Sequence, residues 1–157
     1  MADVFVANAR RDSLVAQLVS AALVEAGLSV FRDAKMPPGA EWHTHIRREI
    51  EAAKCVVALG TTESYRSSEV RKEAEWALER GILVSILCDQ VRPPPWWRGE
   101  AVVHWNDRSI DGLSMAVAAV RTVVAADSPG RRHRPSDFLP RFLRQLYLRY
   151  IRPRPGR

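Results

Sequence analysis

Five short, largely apolar runs punctuate this chain: DVFVA (Asp3 to Ala7), LSVFR (Leu28 to Arg32), KCVVALG (Lys54 to Gly60), ILVSILCD (Ile82 to Asp89) and AVVHW (Ala101 to Trp105). Between them, apolar residues return every three or four positions, the period of a helix lying on one face. Several of the runs show no alternation of apolar and polar residues, so both faces of those strands must be covered. A strand covered on both sides and followed each time by a helix pairs in parallel with its neighbours, because the intervening helix returns the chain to the starting edge.

The helices can be placed one by one. After the polar break NARRD, with Asp12 or Ser13 available as N-cap, Leu14, Val15, Leu18, Val19, Ala22, Leu23 and Ala26 form a stripe that ends at Gly27. DAKMPPGAEW is a loop marked by Pro37-Pro38-Gly39. Trp42, Ile46, Ile50 and Ala53 predict a helix over residues 42–53, and TTESYR reads as a polar connection. A further helix runs from Ser67 to Arg80 and stops at Gly81; VRPPPWWRGE is a proline-rich loop stiffened by its aromatics; the last helix of the body covers Ser109 to Ala126. The expected fold is α/β and flavodoxin-like, a five-stranded parallel sheet with helices on both faces, followed by a C-terminal basic amphipathic helix.

The formal charge of +6 suggests a nucleic-acid binder until it is divided along the chain. From Ser128 onward stand nine Arg and one Asp, a balance of +8, which leaves 15 Lys+Arg against 17 Asp+Glu, or −2, for residues 1–127. The basicity therefore belongs to the end of the chain: a linker over 127–137, an Arg-rich amphipathic helix over 138–151 carrying Phe138, Leu139, Phe142, Leu143, Leu146, Tyr147 and Tyr150, and a tail over 152–157. That helix either docks on the domain formed by residues 1–126 or meets an acidic partner, a membrane surface or a further domain. No run approaches about 18 apolar residues and the N-terminus lacks the pattern of a signal peptide, so the expected location is cytoplasmic. Cys55 and Cys88 sit in strand-like runs without spaced Cys or His partners and read as reduced core thiols.

In open parallel sheets, ligands bind at the carboxyl ends of the strands. The polar segments expected there are NARRD, DAKMPPGAEW and TTESYRSS, the last leading into the Ser67–Arg80 helix. At about 100° per residue, Val70, Ala74, Ala77 and Leu78 form its apolar stripe and Glu73 falls on the margin. A marginal carboxylate either reaches water or points into a cleft, and periodicity does not choose between the two. His43 and His45 are two apart on a helix and do not converge on a metal, and no metal site is expected. The absence of a glycine-rich phosphate loop argues against an NTPase, and NARRD lacks the acidic pair expected of a receiver domain.

DVFVANARRD, DAKMPPGAEW and SSEVRKEAEWALERG, in this order, resemble a Toll/interleukin-1 receptor (TIR) domain of the bacterial type over residues 1–126. Many members of that family cleave NAD, releasing nicotinamide and leaving ADP-ribose or a cyclic variant; others are non-catalytic adaptors that associate TIR to TIR. Bacterial members commonly serve anti-phage defence. The resemblance implies that NAD is a substrate rather than a cofactor. It places the essential carboxylate at Glu73, with Ser67 at the first position of the family pattern Ser-x-Trp-x-x-x-Glu. It also implies substrate contacts by Arg10, Arg11, Asp33 and Trp42, and self-association through the Asp33–Trp42 loop. Two residues depart from the pattern: Glu69 stands in place of the usual tryptophan, and Asn8 where tyrosine is common. With Glu69 one turn before Glu73, two like charges are expected to raise one pKa.

One carboxylate suffices for such chemistry. Most glycosidases need a second because the leaving oxygen must be protonated. The nicotinamide of NAD is a cationic pyridinium that leaves neutral, so only the positive charge developing at the anomeric carbon requires stabilisation.

Overall fold

The computed structural model describes residues 2–32, 39–97 and 101–126. The linker, Arg-rich helix and tail expected over 127–157 lie outside the described residues, as does residue 33–38 of the loop, Asp33 included.

Five strands, β1 (Val4–Ala7), β2 (Val30–Arg32), β3 (Cys55–Gly60), β4 (Leu83–Leu87) and β5 (Ala101–His104), form one parallel sheet of order β2-β1-β3-β4-β5. Registers such as Ala7 with Ala58, Gly60 with Leu87 and Leu87 with His104 bring their carboxyl ends to one edge. Helices α1 (Ser13–Glu25), α2 (Ala40–Ala52), α3 (Thr62–Arg66), α4 (Ser68–Glu79) and α5 (Ile110–Ala126) connect and cover them. Alternate residues of each strand feed two cores. Val4, Val6, Val57, Leu59, Val84 and Ile86 meet Ala16, Val19 and Leu23 of α1 and Ala116, Ala119 and Val120 of α5. On the opposite face Phe5, Val56, Ala58, Leu83 and Leu87 meet Trp42, Ile46 and Ile50 of α2 and Val70, Ala74 and Ala77 of α4. Burial on both sides explains why these strands read as unbroken apolar runs.

The amino ends of three strands are clamped by Asp3. Its carboxylate accepts from the backbone N–H and hydroxyl of Ser29 before β2 and from Lys54 Nζ, 2.8 Å away, before β3. Its carbonyl accepts the N–H groups of Lys54 and Cys55. On the α2/α4 side, Arg80 donates to the carbonyl of Ile50, where the last turn of α2 leaves acceptors free.

The structure differs from expectation in two places. TTESYR is not a plain connection: Thr61 caps α3 by accepting the Ser64 N–H at 3.0 Å. The run lacks an apolar stripe, and its cap is the only local signal. Helix α2 starts at Ala40, one half-turn before the first apolar anchor, because helical periodicity reports the buried face and not the cap. The proline-rich loop is pinned as anticipated, with Trp97 buried edge-on against Tyr65 at 4.9 Å. Cys55 and Cys88 are buried and free; burial pushes the Cys88 thiol up to about 12 and the Cys55 thiol further in the same direction.

Candidate functional site

The strand order reverses between β1 and β3, so the segments leaving Ala7 and Gly60 diverge to opposite faces and leave a crevice between them. Asp12 ties this crevice together. Its Oδ2 accepts the hydroxyls of Thr61 and Ser64, both buried, and Ser64 Oγ in turn accepts the Ala9 N–H. Asp12 was available as N-cap of α1 and occupies that position, yet its side chain makes no capping bond, having been recruited across the crevice instead. At the next strand, Asp89 accepts the Thr62 N–H at 3.0 Å, with Arg108 Nη2 3.8 Å from its other oxygen. Sequence reasoning passed over both carboxylates as site-shaping groups, since each lies within an otherwise ordinary strand-end polar run.

Glu73 stands on α4, which packs on β1, β3 and β4 and against α2. Only 6 % of its surface is exposed, and it is the sole charged residue buried among the described residues. The helix margin thus points inward. Trp76, three residues on and on the same strip, receives the Arg47 guanidinium of α2 over its ring at 5.6 Å. Because α2 and α4 each follow a parallel strand on one face of the sheet, Glu73 lies one turn nearer the strand carboxyl ends than this contact. In the first turn of α2, Trp42 is buried at 9 % exposure and His43 packs edge-on against it at 4.8 Å.

Ser67 ends α3 and begins α4. Its Oγ accepts the Val70 N–H and donates to Glu69 Oε2, both at 3.3 Å. Glu69 therefore does not behave as the upper half of a repelling pair. Its carboxyl is held below the usual range, first by its own backbone N–H and then by the hydroxyls of Ser68 and Ser67, as an anion at a helix N-terminus should be. Of the pair expected to have one raised pKa, Glu69 is not the raised member. With an internal carboxylate already seated there, the α4 N-terminus is a poor place for a substrate phosphate.

The remaining sequence candidates scatter. Arg10 and Arg11 lie in a 3-10 turn after β1, exposed at the crevice mouth, with Arg11 3.7 Å from Glu63 of α3. Trp42 joins the core formed by Phe5, Ile46 and Val70. Among the described residues no cluster of His, Cys, Asp or Glu is suited to a metal ion, and no helix is long and apolar enough to cross a membrane.

A doubly covered parallel sheet with a switch-point crevice and a buried carboxylate on α4 defines a flavodoxin-like α/β domain with one chemically distinct side chain. The chain belongs to the TIR domain family, whose model matches residues 4–119. Among solved structures it is similar to the TIR domain of the Toll-related receptor TRR-2 from Hydra magnipapillata, at 18 % identity over 78 % of this chain and 98 % of that one, with a TM-score of 0.66. It is also similar to a metazoan TIR-STING receptor from C. gigas, at 17 % identity and a TM-score of 0.59, covering 96 % of this chain and 47 % of that receptor. At these identities the likeness is one of fold. No curated protein matches the sequence.

Proposed function

We propose that this TIR domain cleaves NAD at the bond between nicotinamide and ribose, with Glu73 as the essential carboxylate. The observation that carries the reading is the burial of Glu73. Charged side chains are almost never fully buried, and Glu73 is the one charged residue buried among the described residues, which marks it as the candidate reactive group. The bond from the anomeric carbon to the pyridinium nitrogen breaks with its electron pair going to nitrogen, and nicotinamide leaves neutral. Water adds to the anomeric carbon and loses a proton, giving ADP-ribose. Glu73 faces the positive charge that develops at that carbon and fixes the ribose hydroxyls. Arg10 and Arg11, at the crevice mouth, are the cations within this arrangement that suit the pyrophosphate, given the occupation of the α4 N-terminus by Glu69. Asp33 and the Asp33–Trp42 loop complete the nucleotide side and carry self-association, which activates the enzyme; the biological setting is immune signalling or anti-phage defence in the cytoplasm.

The test is nicotinamide release from NAD by concentrated protein, with and without a crowding agent. Glu73→Gln keeps the shape of the side chain and should lower turnover by at least about a hundredfold while leaving thermal unfolding cooperative. Glu69→Trp should raise turnover if the missing ring limits it. Wild-type protein that assembles without turning over NAD sinks the enzymatic reading and leaves a TIR scaffold acting by TIR–TIR association.

A further inference from the structure

Helix α1 differs from the others on its side facing water. Helices α2 and α4 expose Glu41, Arg47, Arg48 and Glu51, and Arg71, Lys72, Glu75 and Glu79. The outward side of α1 consists of Leu14, Gln17, Leu18, Ala21, Val24 and Glu25; Leu14 is 77 % and Leu18 58 % exposed, and Glu25 is the only charge from Ser13 to Glu25. Its opposite side, Ala16, Val19 and Leu23, is already buried against the sheet. A helix with exposed leucines opposite its buried side calls for a cover on that face too.

The chain itself supplies a cover of the right kind. Helix α5 packs against α1 and is described as far as Ala126, the residue to which 127–157 are joined. The linker over 127–137 reaches at most about 40 Å, against the roughly 20 Å length of α1. Beyond it stand Phe138, Leu139, Phe142, Leu143, Leu146, Tyr147 and Tyr150 at three- and four-residue spacing, flanked by Arg141, Arg144 and Arg149. A segment this short is a marginal helix in water and requires apolar surface to fold upon. The outer face of α1 offers that surface, with Glu25 at its C-terminal end to receive an arginine and the Arg32 guanidinium, on the Ser13 carbonyl, at the opposite end.

We infer that the apolar side of residues 138–150 covers the outer face of α1 within the same molecule. Area favours this occupant over a second copy. A single helix face presents a footprint on the order of 200 Å², whereas a stable association between molecules needs about 800 Å² per partner. An attached segment binds at an effective concentration in the millimolar range, where a small footprint is enough.

Amide hydrogen exchange of the 157-residue chain tests this. Phe142→Glu/Leu146→Glu should speed exchange across residues 14–24 by about tenfold, and Leu18→Glu should in turn speed exchange across residues 138–150, both independently of protein concentration. Unchanged α1 exchange in the tail variant overturns the inference. So does α1 protection that grows with protein concentration, which identifies a second copy as the cover. Binding of residues 138–150 to anionic phosphatidylserine vesicles with α1 exchange unaltered likewise overturns it and assigns the segment to a membrane surface.

Discussion

At the scale of single residues, the crevice is shaped by contacts too close for any larger side chain. A Cβ on Gly60, the last residue of β3, would lie 2.7 Å from Leu87 Cδ2 and 2.8 Å from Tyr65 Oη. Gly60→Ala should therefore destabilise the domain by about 1–3 kcal/mol through overpacking, measured as a lowered urea midpoint. In a Tyr65→Phe background the penalty should shrink, because the oxygen nearest the added methyl is gone; equal penalties in both backgrounds would show that Leu87 alone sets the cost. Glu73 was legible in sequence as a marginal helix residue and as a family match, but its burial was not, since a wheel places a side chain without saying what stands beyond it. Glu69 was legible as a departure, and the raised pKa expected of one member of its pair with Glu73 is not found at Glu69. The hydroxyls of Ser67 and Ser68 and a helix N-terminus act on it more strongly than a like charge one turn away.

Among elements, α4 matters most to the candidate site because it carries Glu73 and its start is fixed by one hydroxyl. Ser67→Ala should cost about 1 kcal/mol of stability, the usual worth of an N-cap, and should raise the Glu69 pKa towards its ordinary value, as followed by carboxylate NMR titration. If the Glu69 titration is unmoved, its own backbone N–H is sufficient and Ser67 serves only Val70. Of the elements, the strands and the four long helices were readable, because period 2 or unbroken burial and period 3.6 leave different marks over several residues. Helix α3 was not readable: at Thr62–Arg66 it spans little more than one turn, packs through Tyr65 and the buried Ser64, and exposes polar residues elsewhere. Nor were the ties of Asp12 and Asp89, which join segments 49 and 27 residues apart and follow from topology and not from neighbours in the chain.

For the whole molecule, the parallel arrangement creates two unlike edges. At the carboxyl edge the polar groups shape a crevice; at the amino edge they hold β1, β2 and β3 in register through Asp3, whose place before a strand gave no hint of three partners. The Asp3 carboxyl is lowered from 3.8 to about 2, first by the hydrogen bond from Lys54 and then by the backbone and hydroxyl of Ser29. A carboxylate whose pKa is depressed on folding contributes stability that is fully present above its unfolded value, near 3.8, and is lost as pH falls towards about 2. The Asp3 side chain is 26 % exposed and Lys54 48 %, so solvent screening reduces the contribution to about 1 kcal/mol. Asp3→Asn removes the charge at every pH. The gap in urea midpoint between wild type and this variant should stay constant from pH 7 to 5 and close between pH 4 and 2. A gap that persists undiminished at pH 2 would mean that the neutral hydrogen bonds to Ser29, and not the ion pair with Lys54, hold the amino edge of the sheet together.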